Sequence, residues 1–337
     1  MSAWPSISRK QGKLEFINLD ESNTIEITTM SPVDLAVSFG PLKLKNPLIA
    51  ASGCFGYGTE YADVVDLSTL GAVVVKGLFL KEREGQRTPR IIETPSGMLN
   101  AIGLQGIGVD RFIKEQLPLL RKSRCVVIVN ICGSTVNEYA ELARILSEEP
   151  DIAALELNIS CPNIKEGGIT FGCSLRGTHS VVEAVRKVTD LPIIPKLTPN
   201  VSDIASFAQA AENAGADGVS LVNTFLAMSI DIEKKRPHLS NTVGGLSGPA
   251  IRPIAVRMVY ECHQAIKIPI MGMGGIMTAN DAVEFLIAGA NAVQIGTANF
   301  VDPFIWPKLL DGLTNYMKKH NHNKIDELVG TVNTERK

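Results

Sequence analysis

Residues 152–168 read IAALELNISCPNIKEGG. The first half, Ile152–Ile159, is short and apolar, the composition of a strand buried on both faces. The second half turns abruptly polar through Ser160, Cys161, Pro162 and Asn163, then runs into a Lys165–Gly168 loop. A buried strand that hands an Asn and a Cys to a Pro- and Gly-bearing loop has the layout of a site at a strand's C-terminal end. Taken alone, Cys161 reads first as an inert buried thiol, so its role depends on what surrounds it in the chain.

Outward from this run, short apolar segments alternate with helical ones. Val33–Phe39 and Leu42–Leu44 read as a hairpin turned at Gly40-Pro41. Eight strands are then predicted at Leu48–Ala51, Ala72–Lys76, Val126–Ile131, Ile152–Ile159, Ile193–Leu197, Gly218–Asn223, Ile270–Gly272 and Ala292–Gly296. Helices are predicted between them near Thr59–Leu70, Asp110–Leu120, Val136–Glu148, Ser174–Thr189, Asp203–Ala214, Pro249–Ala265 and Thr278–Ala288. A last helix covers about Phe304–Lys319. Two long loops, from Gly77 to about Val109 and from Thr224 to Gly248, interrupt the alternation, and loops of that length are usually functional. Strand–helix alternation implies a parallel sheet with right-handed crossovers. Eight units match an α/β single (β/α)8 TIM barrel, residues 31–337, better than an open sheet. No Gly-x-Gly-x-x-Gly follows the first strand, which removes the usual argument for a dinucleotide-binding fold.

The totals exclude several other classes. The chain has 337 residues, 45% hydrophobic and 20% charged, with a formal net charge of −2. That balance belongs to a globular protein and offers no basic face to nucleic acid. Six cysteines, at 54, 125, 132, 161, 173 and 262, show no C-x-x-C pair, so a reducing cytoplasm is expected. Residues 1–30 are polar and aperiodic, with acidic Asp20, Glu21 and Glu26, unlike a secretory or mitochondrial leader or a membrane-docking helix. They read as a separate polar, mobile extension, and no run approaches the roughly 18 apolar residues of a membrane span.

In a (β/α)8 barrel the chemistry lies at the C-terminal rim of the strands. That rim collects Ser52-Gly53, Lys76-Gly77, Asn130, Asn158 with Cys161, Lys196, Asn223-Thr224, Gly274-Gly275 and Gly296-Thr297. Two lysines closing apolar strands call for an anionic partner, because a desolvated ammonium is costly alone. The Gly274-Gly275 and Gly296-Thr297 runs after strands 7 and 8 stand where such barrels bind phosphate, letting backbone N–H groups approach its oxygens. A phosphate there, with lysine and amide side chains across the mouth, fits flavin mononucleotide (FMN), with a lysine near the ring's N1 end to stabilise its reduced form.

The motifs N-I-S-C-P-N-x-K-x-G-G, N-A-I-G-L-Q (Asn100–Gln105), V-N-T, G-G-L-S-G-P-A, M-G-G-I and I-G-T-A-N-F together resemble the type 1 dihydroorotate dehydrogenases, from about Val33 to Pro307. The A-S-G-C-F-G start and the G-G-L-S-G-P-A run are closer to type 1B, the NAD-linked catalytic subunit, than to the fumarate-using type 1A. A serine in place of the cysteine marks the membrane-linked type 2. The resemblance implies FMN-dependent oxidation of dihydroorotate to orotate in pyrimidine (UMP) biosynthesis. It makes Cys161 the base that removes the C5 proton while hydride passes from C6 to flavin N5. FMN would be held by Ser52, Lys76, Gly77, Asn130, Asn158, Lys196, Val222, Gly248, Gly274, Gly275, Gly296 and Thr297. Substrate would contact Lys76, Asn100, Ala101, Ile102, Gly103, Leu104, Asn158, Asn223 and Thr224, with Asn163 an extra contact.

The residue types suit that chemistry. A thiol of pKa ~8.5 is only partly ionised at neutral pH, so a Cys base implies turnover favoured by alkali. Asparagines supply donors and acceptors to planar amide and carboxylate groups without adding charge. Gly77 departs from the small or hydroxyl side chain expected after Lys76, Cys173 is an added thiol read as incidental, and Cys54 and Cys132 are expected to pack beneath the flavin. The resemblance also implies a partner subunit carrying FAD and a [2Fe–2S] cluster that passes electrons to NAD, around a homodimer core within a heterotetramer, since this chain has neither cluster spacing nor dinucleotide fingerprint. Competing readings are an FMN barrel of the dihydropyrimidine dehydrogenase type, acting on uracil or thymine, a tRNA dihydrouridine synthase, disfavoured by the −2 charge, and a flavin-free phosphate-binding barrel.

Overall fold

The computed structural model describes residues 7–10, 13–16, 33–159 and 171–335. The chain divides into two compact units, Met1–Pro32 and Val33–Lys337. Within the first, Ile7–Lys10 pairs antiparallel with Lys13–Phe16, a hairpin in a stretch whose sequence shows no periodicity.

The second unit is built on eight parallel strands: β1 (Leu48–Ala50), β2 (Ala72–Leu78), β3 (Val127–Ile131), β4 (Ile152–Leu157), β5 (Ile193–Pro195), β6 (Val219–Leu221), β7 (Ile270–Met273) and β8 (Ala292–Ile295). Their order around the sheet is β5-β4-β3-β2-β1-β8-β7-β6. The two ends meet through the parallel Lys196–Ser220 bridge, where the Leu197 amide donates to the Ser220 carbonyl at 2.8 Å. Closure leaves no free edge, and sequential neighbours all the way round make this the TIM barrel expected from the alternation. The strands are almost wholly buried because the barrel interior covers one face and the helices the other.

The outer layer comprises α1 (Leu117–Ser123), α2 (Val136–Ser147), α3 (Leu175–Arg186), α4 (Ile204–Asn213), α5 (Arg252–Ala265), α6 (Ala279–Ala288) and α7 (Ile305–Lys319). Side-chain oxygens of Thr135, Ser174, Asp203 and Thr278 cap four of these, and Thr278 with Asp281 forms a capping box. The hairpin Val37–Phe39/Leu42–Leu44 forms as expected. Phe39 from it is buried against β6, and a Cβ on Gly218 would lie 2.4 Å from its ring.

Two expectations fail. The segment from Thr59 to Leu70 is not an α-helix but two 3-10 turns, Thr59–Tyr61 and Leu67–Thr69. Asp66 accepts from the Ser68 amide and terminates any longer helix before it starts. The two long loops are also not structureless. Phe225–Ala227, Gly244–Ser247, Gly97–Asn100 and Ile91–Thr94 pair antiparallel, in that order, into a four-stranded sheet. This sheet has its own small apolar cluster of Leu99, Ala101 and Leu239.

Candidate active site

The rim residues converge because alternate positions of each strand point into the barrel. On β4 this brings Glu156 and then Asn158 inward, and on β3 it brings Asn130. The Asn158 amide nitrogen lies 3.5 Å from the Asn130 Oδ1, and the Asn223 amide nitrogen lies 3.5 Å from the Asn158 Oδ1. Tyr139 fixes the turn after β4 by donating its hydroxyl to the Asn158 carbonyl at 2.8 Å.

Lys76 owes its place to a bulge. The β2–β3 register slips between Val75 and Leu78, an extra residue that re-aims the side chains there. Gly77 follows in strand conformation, and the structure supplies the reason for glycine: a Cβ would lie 2.9 Å from both Asn130 Oδ1 and Cys132 Sγ. The hydroxyl residue expected there has no room.

A cavity of about 710 Å³ opens at this mouth, between the barrel rim and the four-stranded sheet. Lys76, Gly77, Ser52 and Asn158 line its barrel side, and Asn100, Ala101, Ile102, Gly103 and Leu104 line its sheet side. A smaller cavity of about 80 Å³ adjoins it, lined by Val222, Gly274, Gly275, Gly296 and Thr297. Ser52, Cys54, Lys196, Asn223 and Thr224 border both. Thr297 donates to Ser247 Oγ at 2.8 Å, tying the end of β8 to the sheet. A volume near 700 Å³ is that of small-molecule sites, which combine apolar walls with a few convergent polar groups. A groove of similar volume between α5, α6 and α7 is lined by none of the rim residues.

Two predicted site residues stand elsewhere. Asn130 is fully buried below the cavity floor, donating to Glu156 Oε1 at 2.7 Å, so it supports the mouth from beneath. Gly248 lies outside both cavity walls, at a positive φ of 95° before the turn that opens α5. Its carbonyl oxygen would be 2.7 Å from a Cβ on Gly275, so it packs behind the glycine pair. Cys161, Asn163 and the Lys165–Gly168 loop lie outside the described residues. Cys173 is exposed.

Sequence reasoning missed Glu156, Ser220, Gln294 and Arg90. Glu156 carried a signal, a carboxylate inside an apolar strand, and so did Gln294 in A-V-Q-I. Arg90 lines the large cavity and donates to Gln105 Oε1 at 3.0 Å. It carried no signal, since nothing local distinguishes it from other loop cations.

The electrostatics are those of a site for anions. Burial pushes the Lys76 ammonium below the usual lysine range, and the nearby Arg90 charge lowers it further against the opposing pull of Glu60. Lys196 is 7% exposed and pairs with Glu156 at 3.6 Å. Burial pushes the Cys54 thiol up to about 11, against a smaller lowering by Lys196. Cys54 is therefore a packed wall of the site, its exposed part facing the cavities, and not a thiolate.

The donor set fits a flavin mononucleotide. Gly274 and Gly275 adopt φ of 133° and 74°, a backbone that favours glycine, and wall the smaller cavity beside Gly296 and Thr297, where backbone N–H groups suit a phosphate. Gln294, on the wall of the smaller cavity, keeps its Oε1 buried without a hydrogen-bond partner among the described residues, an acceptor available to a bound group.

The family model for dihydroorotate dehydrogenase matches residues 34–317. The chain is 51% identical over 305 residues to dihydroorotate dehydrogenase B (NAD(+)), catalytic subunit, of Geotalea uraniireducens, covering 90% of this chain and 100% of that one. It is 53% identical over 300 residues to the protein of the same name from Desulforamulus reducens, with coverage of 89% and 99%. The solved structure of DHODH from Eimeria tenella in complex with ferulenol shares the fold, with a TM-score of 0.75 at 21% identity over 91% of this chain and 90% of that one. Barrel, rim and these similarities agree: the chain belongs to the dihydroorotate dehydrogenase family.

Proposed function

We propose that this chain is the catalytic subunit of an NAD-linked dihydroorotate dehydrogenase, oxidising dihydroorotate to orotate in pyrimidine biosynthesis with FMN as its own cofactor. The observation that carries the reading is the mouth itself. Two lysines, two asparagines and the Asn100–Leu104 run line one cavity whose neighbour is walled by the Gly274-Gly275 pair after β7 and by Gly296 and Thr297 after β8.

Gly274, Gly275, Gly296 and Thr297 would hold the FMN phosphate, and Ser52, Gly77, Lys196 and Val222 the ring. When bound, FMN supplies the acceptor for the hydride leaving substrate C6. The protein's own residues do the rest. Lys76 offsets the substrate carboxylate, and Asn100, Asn158 and Asn223 hydrogen-bond its planar polar edges and fix its orientation. Cys161 takes the C5 proton, a task that requires it as thiolate at the moment of transfer. The four-stranded sheet covers the mouth and limits water, strengthening each of these charge interactions. Electrons leave through a partner subunit carrying FAD and a [2Fe–2S] cluster, around a homodimer core. No helix among the described residues is long and apolar enough to cross a membrane, and the reading places the enzyme in the cytoplasm.

Purified protein is expected to be yellow, to release FMN on denaturation and to turn over dihydroorotate but not dihydrouracil. Cys161→Ala keeps FMN and loses most turnover. Colourless protein that cannot be reconstituted with FMN, or turnover of dihydrouracil alone, overturns the proposal.

A further inference from the structure

Beneath the cavity floor lies a carboxylate that the catalytic scheme does not use. Glu156 is fully buried on β4. Its Oε1 accepts from Asn130 Nδ2 at 2.7 Å, and its Oε2 accepts from Ser220 Oγ at 2.8 Å and Gln294 Nε2 at 2.7 Å. These partners come from β3, β6 and β8, so one side chain gathers donors from across the barrel. The only cation paired with it among the described residues is Lys196, whose Nζ lies 3.6 Å from Oε1.

That distance separates two roles. A direct ammonium–carboxylate hydrogen bond is about 2.7–2.9 Å. At 3.6 Å the attraction is chiefly charge on charge. Three neutral donors occupy the carboxylate, which leaves the Lys196 N–H groups for whatever occupies the cavities it borders. A buried carboxylate without such donors would draw the ammonium down onto itself. Here Glu156 holds Lys196 in place and subtracts from its field without consuming its hydrogen bonds.

We propose that Glu156 is a positioning residue that sets the reduction potential of the bound flavin through Lys196. The inference rests on the FMN reading above and deepens it. Lys196 favours the reduced, more negative form of a flavin beside it. Glu156, on the far side of the ammonium, weakens that preference and keeps the potential low, as an enzyme that delivers electrons to a low-potential acceptor requires. Asn130 shares the same carboxylate through its Nδ2, and its Oδ1 packs close against Gly77 above it.

The test is the FMN midpoint potential of the holoenzyme, measured by reductive dye titration, in Glu156→Gln and Ser220→Ala. Glu156→Gln preserves volume and removes the charge, so Lys196 acts uncompensated. Reduced FMN should bind about tenfold tighter relative to oxidised FMN, a rise of about 30 mV for a two-electron couple. Ser220→Ala strips one donor from the carboxylate and returns its field to Lys196, so the potential should move the opposite way, by two- to threefold in the same ratio. In a Lys196→Gln background the Glu156→Gln shift should shrink to the carboxylate's direct effect on the flavin, and a shift undiminished from that in the Lys196 protein overturns the proposal. If Glu156→Gln does not fold, the sign of the Ser220→Ala shift decides. Yellow protein in which neither variant moves the ratio by twofold, or in which Ser220→Ala raises the potential, overturns the proposal. Colourless wild-type protein is instead the failure of the FMN reading.

Discussion

Adding one methyl group at Gly77 tests the packing beneath the mouth. Gly77 sits in the bulged end of β2, and a Cβ built there lies 2.9 Å from Asn130 Oδ1 and 2.9 Å from Cys132 Sγ. Real Cβ atoms essentially never approach closer than 3.0 Å, so both neighbours must shift. Neither has slack. Cys132 is fully buried with its Sγ 3.6 Å from Asn130 Oδ1, and Asn130 is fully buried and bonded to Glu156 at 2.7 Å. Overpacking of this kind costs about 1–3 kcal/mol. If the shift also breaks the Asn130–Glu156 hydrogen bond, a further ~1.5–3 kcal/mol is lost, because the acceptor is charged and buried. Gly77→Ala should therefore destabilise by about 1–3 kcal/mol in urea titration if the Asn130–Glu156 bond survives, and by about 2.5–6 kcal/mol if it is lost, and lower the FMN content of the purified protein. Gly77→Ser should be no milder, since a hydroxyl adds volume. Cys132→Ala in the Gly77→Ala background should recover part of the loss by opening the sulfur side. A Gly77→Ala protein within 0.5 kcal/mol of wild type and fully loaded with FMN would refute the reasoning, because the collision would then have been absorbed at no cost.

Two further expectations concern titration. With its thiol pushed up to about 11 from an ordinary 9.0, Cys54 should resist alkylation at pH 8 while exposed Cys173 reacts, as followed by mass spectrometry of iodoacetamide-treated protein. The native state holds the Cys54 proton where the unfolded chain releases it. Its contribution to stability is thus present below pH 9 and lost as pH rises through about 11, and Cys54→Ala should flatten the alkaline decline. For Lys76 the sign is opposite: its folded-state value is lowered, chiefly by burial, so the unfolded chain binds more protons and stability rises as pH climbs through that lowered value. Lys76→Met should raise the melting temperature, yet raise KM for dihydroorotate at least tenfold. A lower melting temperature with unchanged KM would remove Lys76 from substrate binding.

Glu156 marks where reading the chain as local pattern stops. The eight strands and most helices were legible because each carries its own period: continuous apolar runs for doubly covered strands, and apolar stripes behind Ser, Thr and Asp caps for helices. The rim followed, since strand polarity in a parallel barrel is set once and every strand ends on the same side. Thr59–Leu70 reads as one helix because its apolar spacing permits one, while in the fold Asp66 competes for the backbone in the middle.

By itself, then, the sequence determined the barrel, its direction and the set of side chains delivered to its mouth, because these depend on patterns within ten or so neighbouring residues. Only the tertiary structure decided which of them work together. The strand Gly97–Asn100 finds Gly244–Ser247 across a separation of 145 residues between Asn100 and Gly245, and no local propensity encodes that pairing. Asn130 was drawn below the floor, and Glu156 became the hub for Asn130, Lys196, Ser220 and Gln294, because a buried carboxylate must find donors wherever the closed sheet brings them. Which donors those are depends on the stagger of the strands around the barrel, a property of the closed sheet and of no single segment.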